Sequence, residues 1–137
     1  MPAGGAPSSV ATPYAVDRGV AEWAAAWSAR DVNRYFAAYV PDFRPEGLTA
    51  DAWRRQRAER IGRARIIEVV PDDVRIDIRD DRHASATFVQ NYRSDGYRDQ
   101  VEKRLEFERI GQRWLVSSES VVRIIKTDEM FQREQRR

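Results

Sequence analysis

Three stretches decide the fold: Ala-Ser-Ala-Thr-Phe-Val-Gln-Asn-Tyr-Arg-Ser (84–94), Val-Glu-Lys-Arg-Leu-Glu-Phe-Glu-Arg-Ile (101–110) and Trp-Leu-Val-Ser-Ser (114–118). A strand shows its side chains to alternate faces, so residues of one parity line one face of a sheet. One face then carries Ala86, Phe88, Gln90 and Tyr92, beside Val101, Lys103, Leu105 and Phe107, beside Trp114, Val116 and Ser118. The face is apolar except where Gln90, Tyr92, Lys103 and Ser118 interrupt it. That mixture is the make-up of a pocket lining.

Outward from this core, the turns are plain. Asp80-Asp81-Arg82, Ser94-Asp95-Gly96 and Gly111-Gln112 separate successive strands. Before them, Val74, Ile76 and Ile78 alternate with Arg75, Asp77 and Arg79, which predicts one more half-buried strand. The last strand is expected to run through Trp114 to about Ile125. Residues 126–137 are mostly charged and read as a frayed helix or tail.

Upstream the period is helical. Val16, Val20, Trp23 and Trp27 form one apolar stripe from about Tyr14. Asp31 is placed to cap a second helix bearing Val32, Tyr35, Phe36 and Tyr39, stopped by Pro41. After a loop at 43–48, Thr49 caps a third helix, with Asp51 in its first turn and arginines 54, 55, 57 and 60 beyond. This order of charge suits the helix dipole. Residues 1–13 hold three prolines, two glycines and two serines, and read as a flexible lead-in or linker to a domain spanning 14–125. Helices followed by an antiparallel meander argue for an α+β fold.

Composition narrows the function classes. With 137 residues, 24 basic against 22 acidic side chains and a formal charge of +2, the chain fits one domain without a polycationic surface. Nucleic acid is therefore not an expected partner, and arginines 54, 55, 57, 60, 63 and 65 read as a solvated face. No cysteine is present, which excludes disulfides and thiolate chemistry. The single histidine, His83, follows a turn and has no ligand-spaced companion, so no metal or cofactor is expected. No apolar run approaches the ~18–20 residues of a membrane span, so no membrane insertion is expected. The location is expected to be cytoplasmic if residue 1 is the natural start, and envelope-associated if the chain is excised from a longer protein.

Taken together, Trp23-x-x-x-Trp27-x-x-x-Asp31-x-x-x-Tyr35-x-x-x-Tyr39, Phe43, Trp53, Phe88-x-Gln90-x-Tyr92-x-Ser94, Lys103-x-Leu105 and Trp114-x-Val116-x-x-Glu119 resemble a SnoaL-like domain of the nuclear transport factor 2-like superfamily. In appearance the resemblance is to the subgroup fused to L,D-transpeptidase or tetratricopeptide-repeat regions of bacterial envelope proteins. It implies a cone: a curved antiparallel sheet wrapped around an N-terminal helical hairpin plus a third helix. It also implies a pocket at the open end and a homodimer through the outer sheet face, where Thr87, Val89 and Leu115 lie. It does not imply one activity.

The pocket is expected to be lined by Tyr39, Trp53, Phe88, Gln90, Tyr92, Lys103 and Ser118. Lys103 is the sharpest signal, because a buried ammonium needs a partner. Its readings are a ligand anchor or a structural ion pair. Glu119 has outward parity unless a bulge re-aims it, in which case it could pair with Lys103. The inward acid, histidine or acid–arginine sets of the superfamily's isomerase-, dehydratase- and epoxide-hydrolase-like members find no match, since Asp77 points outward and His83 sits at a turn. The expectation is a non-catalytic module binding a small polar or aromatic ligand or a protein, an accessory domain of a bacterial envelope protein. The alternatives are a small lyase, isomerase or hydrolase using Tyr92 and Lys103, and a ligand-free dimerisation scaffold.

Overall fold

A computed structural model describes residues 11–136; the expected lead-in lies mostly outside the described residues. The helical stripe closes the inside of the sheet. Helix α1 (Pro13–Ser28) starts on the Thr12 side chain, which accepts from the Ala15 amide, and buries Val16, Val20, Trp23 and Trp27. Helix α2 (Val32–Ala37) starts on Asp31, which accepts from the Arg34 amide, and α3 (Ala50–Arg63) starts on Thr49, which accepts from the Ala52 amide. Each cap satisfies an amide that the helix itself leaves without a partner.

Four antiparallel strands follow: β1 (Ile67–Ile78), β2 (His83–Ser94), β3 (Tyr97–Ile110) and β4 (Arg113–Lys126), in the order β1-β2-β3-β4. The β2–β3 hairpin turns on Asp95 and Gly96, both at positive φ (46° and 90°), the backbone that matches strand twist in a two-residue turn. Strand β1 is longer than the alternation from Val74 suggests. Its first half, with Ile67 and Val69 buried, is separated from the second by a register shift between Asp72 and Arg75. Asp73 takes φ 53° there, so the two halves do not share one parity count.

Strand β4 shifts register against β3 at three places, one of them where Glu106 faces Ser118 while Phe107 faces Val116. Ser117 is thus the extra residue of a bulge. Such bulges bend a strand, consistent with the curved, unclosed sheet. Residues Tyr39 and Val116 form an isolated parallel bridge, with Val40 N donating to Val116 O (2.9 Å) and Val116 N to Ala38 O (2.8 Å). This clamps the end of the helical hairpin onto β4.

The segment read as a frayed helix or tail forms α4 (Asp128–Gln135), capped by Thr127. Its Phe131 ring lies under the Arg98 guanidinium (4.2 Å to the centroid), and Asp128 Oδ1 accepts from the Arg98 amide (3.0 Å). Of the outer-face residues expected at a dimer interface, Leu115 is buried, whereas Thr87 and Val89 are half-buried.

Candidate functional site

The inner sheet face holds two polar groups. The first is centred on Glu119. By strand alternation Ser118 was expected to face inward, but the bulge at Ser117 reverses the count: Ser118 is exposed opposite Glu106, and Glu119 takes the inward place opposite Leu105. Ser118 is therefore removed from the expected lining. Glu119 Oε2 accepts from Lys103 Nζ at 2.7 Å, with the two side chains only 13% and 7% exposed. Its Oε1 accepts from the Tyr39 hydroxyl at 2.6 Å. The Tyr39 oxygen in turn accepts from Trp23 Nε1 (2.9 Å) and, since its own proton is committed to Glu119, from the Tyr35 hydroxyl (3.0 Å).

Electrostatics follow from this geometry. Desolvation pushes the Glu119 carboxyl up, but the Lys103 charge and hydrogen bond, the Tyr39 hydroxyl and the more distant Arg57 outweigh it and hold the carboxyl below its ordinary range. Burial, and then the Glu119 charge, push the Tyr39 phenol well up. Tyr35 rises for the same two reasons. At neutral pH the group is an ion pair with two neutral phenols. A small cleft of about 230 Å³ reaches it, walled by Phe43, Trp53, Arg57, Lys103, Glu119 and Val121.

The second group lies further towards the β2–β3 turn. A cleft of about 370 Å³ opens between α3 and the sheet, lined by Arg57, Arg60 and Ile61 from the helix and by Ile67, Gln90, Tyr92, Ser94, Tyr97 and Asp99 from the strands, with Trp27 of α1 at its floor. Strand pairing brings these together: Tyr92 faces Asp99 and Ser94 faces Tyr97 across the β2–β3 ladder. The Tyr92 ring packs on Trp27 (5.3 Å between centroids) and Tyr97 (6.1 Å). The Tyr97 hydroxyl donates to Asp99 Oδ2 (2.7 Å), a bond that, with lesser help from burial, pushes its phenol up to about 12.

Three buried polar atoms have no hydrogen-bond partner among the described residues: Arg57 Nε, Gln90 Oε1 and Asp99 Oδ1. All three residues line this one cleft. Buried polar atoms are almost always paired, so their coincidence marks the cleft as unfinished.

Of the seven expected lining residues, Gln90 and Tyr92 wall the larger cleft, whereas Trp53 and Lys103 wall the smaller. Tyr39 is buried in the Glu119 group, and Phe88 is wholly buried against Trp23. Arg57 departs from the solvated face expected of the arginine run, since it is half-buried with its Nε shielded from solvent, and Asp99 carries no expectation of its own. Asp99 continues the inward parity of Val101 and Lys103, a signal present in the sequence. Arg57 lies at i+4 between Trp53 and Ile61, on the buried face of α3, a signal also present in the sequence. Among the described residues no group of three or more histidine, cysteine or acidic side chains could hold a metal, and no helix is long and apolar enough to cross a membrane.

The geometry can be set beside known proteins. Residues 15–120 match the family of the Cds6 C-terminal NTF2-like domain. The chain belongs to that family. Bd1075 of Bdellovibrio bacteriovorus superposes on this NTF2-like domain with a TM-score of 0.72 at 20% identity, over 80% of this chain and 40% of that one. The helical cell shape determining protein Pgp2 of Campylobacter jejuni gives 0.61 at 16% identity, over 74% and 38%. An NTF2-like protein of unknown function from Pseudomonas putida gives 0.66 at 13% identity, over 84% and 88%. At these identities the likeness is one of fold. The chain spans about two fifths of the length of Bd1075 and of Pgp2. No curated protein matches the sequence.

Proposed function

We propose that this domain is a non-catalytic binding module for a small polar molecule, held in the cleft between α3 and the β2–β3 hairpin, and that it serves as an accessory domain of a larger bacterial envelope protein. The observation that carries the reading is the gathering of Arg57 Nε, Gln90 Oε1 and Asp99 Oδ1, all without partners, around one cleft. Atoms left this way cost stability, which an incoming ligand would return as binding. The accessory role is supported by the family, a C-terminal domain, and by the two-fifths share of Bd1075 and Pgp2 that the chain spans.

Catalysis finds less support. The acid–base contact at the cleft wall is Lys103 with Glu119, and both oxygens of that carboxylate are engaged. A carboxylate held below its ordinary range by these partners is a weak base at neutral pH. Tyr92, the expected acid–base companion of Lys103, packs instead on Trp27 and Tyr97.

Native mass spectrometry after incubation with a library of small polar metabolites tests the reading. Adducts are expected with the wild type, and Gln90→Leu should weaken them roughly tenfold, the worth of one hydrogen bond. No adduct with any compound, or adducts indifferent to Gln90→Leu, would remove the cleft as the binding site.

A further inference from the structure

The cleft's unpartnered atoms are unlike one another, and the difference specifies a ligand. Arg57 Nε is a donor on a permanent cation. Gln90 Oε1 and Asp99 Oδ1 are acceptors, and Asp99 is an anion whose other oxygen already takes the Tyr97 hydroxyl proton. A simple anion would satisfy Arg57 and leave the acceptors bare. A simple amine would do the reverse. The complement of all three is one small molecule with an acceptor anion and a charged N–H donor close together.

We infer that the cleft takes a zwitterion of the α-amino-acid type, its carboxylate at Arg57 and its ammonium between Asp99 and Gln90. This rests on the cleft being the ligand site argued above. Arg60, at the same rim, adds a second cation on the carboxylate side. Trp27, Tyr92 and Ile61 offer an apolar wall for a side chain. The recessed acceptors can swing to the ligand, because the terminal torsions of Gln and Asp are broad. Gln90, 5% exposed, discriminates most strongly, since a ligand lacking the N–H leaves it buried and bare.

Three probes with one phenyl group separate the possibilities: phenylalanine, 3-phenylpropanoate (no ammonium) and phenethylamine (no carboxylate). In ¹H–¹⁵N titrations of the 137-residue chain, phenylalanine should move the Arg57 Nε–H and the amides around Gln90 and Asp99. Its Kd should lie at least about tenfold below those of the other two. Asp99→Asn should bring phenylalanine and 3-phenylpropanoate to within about threefold of each other. Equal affinity for 3-phenylpropanoate and phenylalanine in the wild type would make this an anion site, and equal affinity for phenethylamine a cation site. Either result overturns the inference. Silence from all three, while an uncharged metabolite occupies the cleft, would overturn it and leave the binding reading standing. Silence from every compound would end both.

Discussion

Around Glu119, both carboxylate oxygens and the Tyr39 hydroxyl are engaged by the protein's own groups. A short way along the same sheet face, Arg57, Gln90 and Asp99 each hold a buried polar atom that no described residue engages. Arg57 walls both clefts, so the two groups meet at one side chain. The contrast separates two uses of buried polarity. A closed group holds the hairpin to β4 and gives the fold its register. An open group leaves hydrogen-bonding capacity for something else. On this view substitutions in the two groups should have opposite signatures, one in stability and the other in binding.

The largest expected effect is in the closed group. Lys103→Met leaves Glu119 buried without its counter-charge and should cost about 3–5 kcal/mol by urea unfolding, whereas the double variant Lys103→Met/Glu119→Leu should recover most of it. Equal losses in the single and double variants would show that packing, and not charge, is what matters there. Next comes Tyr39→Phe. It strips Glu119 of one bond and leaves Trp23 Nε1 and the Tyr35 hydroxyl without their partner, at about 1–3 kcal/mol by the same measurement.

Acidity sharpens the comparison further. The folded-state carboxyl of Glu119 is held below its ordinary value of 4.5. Its stabilisation is therefore complete above that value and lost as pH falls through the lower, folded one. In Lys103→Met the dependence should invert, because burial, the largest single cause, is then opposed only by the Tyr39 hydroxyl and Arg57, and that variant gains relative stability on acidification. Urea midpoints between about pH 3 and 7 decide it; parallel curves for the two proteins would deny Glu119 this role. The smallest effect belongs to the open group. Gln90→Leu should change stability by no more than ~0.5 kcal/mol, or raise it, because it removes an atom that was already without a partner. A loss above 2 kcal/mol would mean that Gln90 is structural after all.

Much of the frame was legible in the sequence. The stripe from Val16 to Trp27, the caps Asp31 and Thr49, and the turns at 80–82, 94–96 and 111–112 are local signals, and each is where its chemistry says it must be. Gln90 and Tyr92 were readable because β2 pairs with β3 in unbroken register. Ser118 departs from its expected face, and Glu119 takes the inward place that a bulge would give it, because alternation counts correctly only up to the first bulge and Ser117 lies just before them. The same limit hid the first half of β1, beyond the irregularity at Asp73. The firm seating of helix α4 depends on Arg98 and Lys126 meeting Phe131, contacts that the charged stretch 126–137 does not announce.

The bulge at Ser117 has one more consequence, which concerns spelling and not composition. Along β4 the extra residue acts like a frame shift: from Ser118 up to the next irregularity, between Val121 and Arg123, the strand is read on the other face of the sheet. Omitting Ser117 would keep every charge in the chain and straighten the strand without moving the pair. Val116 opposite Phe107 would lead directly to Ser118 opposite Glu106 and Glu119 opposite Leu105, so Glu119 would still face inward. Such a deletion is expected to keep the acid-dependent part of the stability, which Glu119→Leu would remove, and to change the bend that the bulge imposes. The extra residue thus sets the bend of the strand, while the pairing on either side of it sets which residue lies under the hairpin.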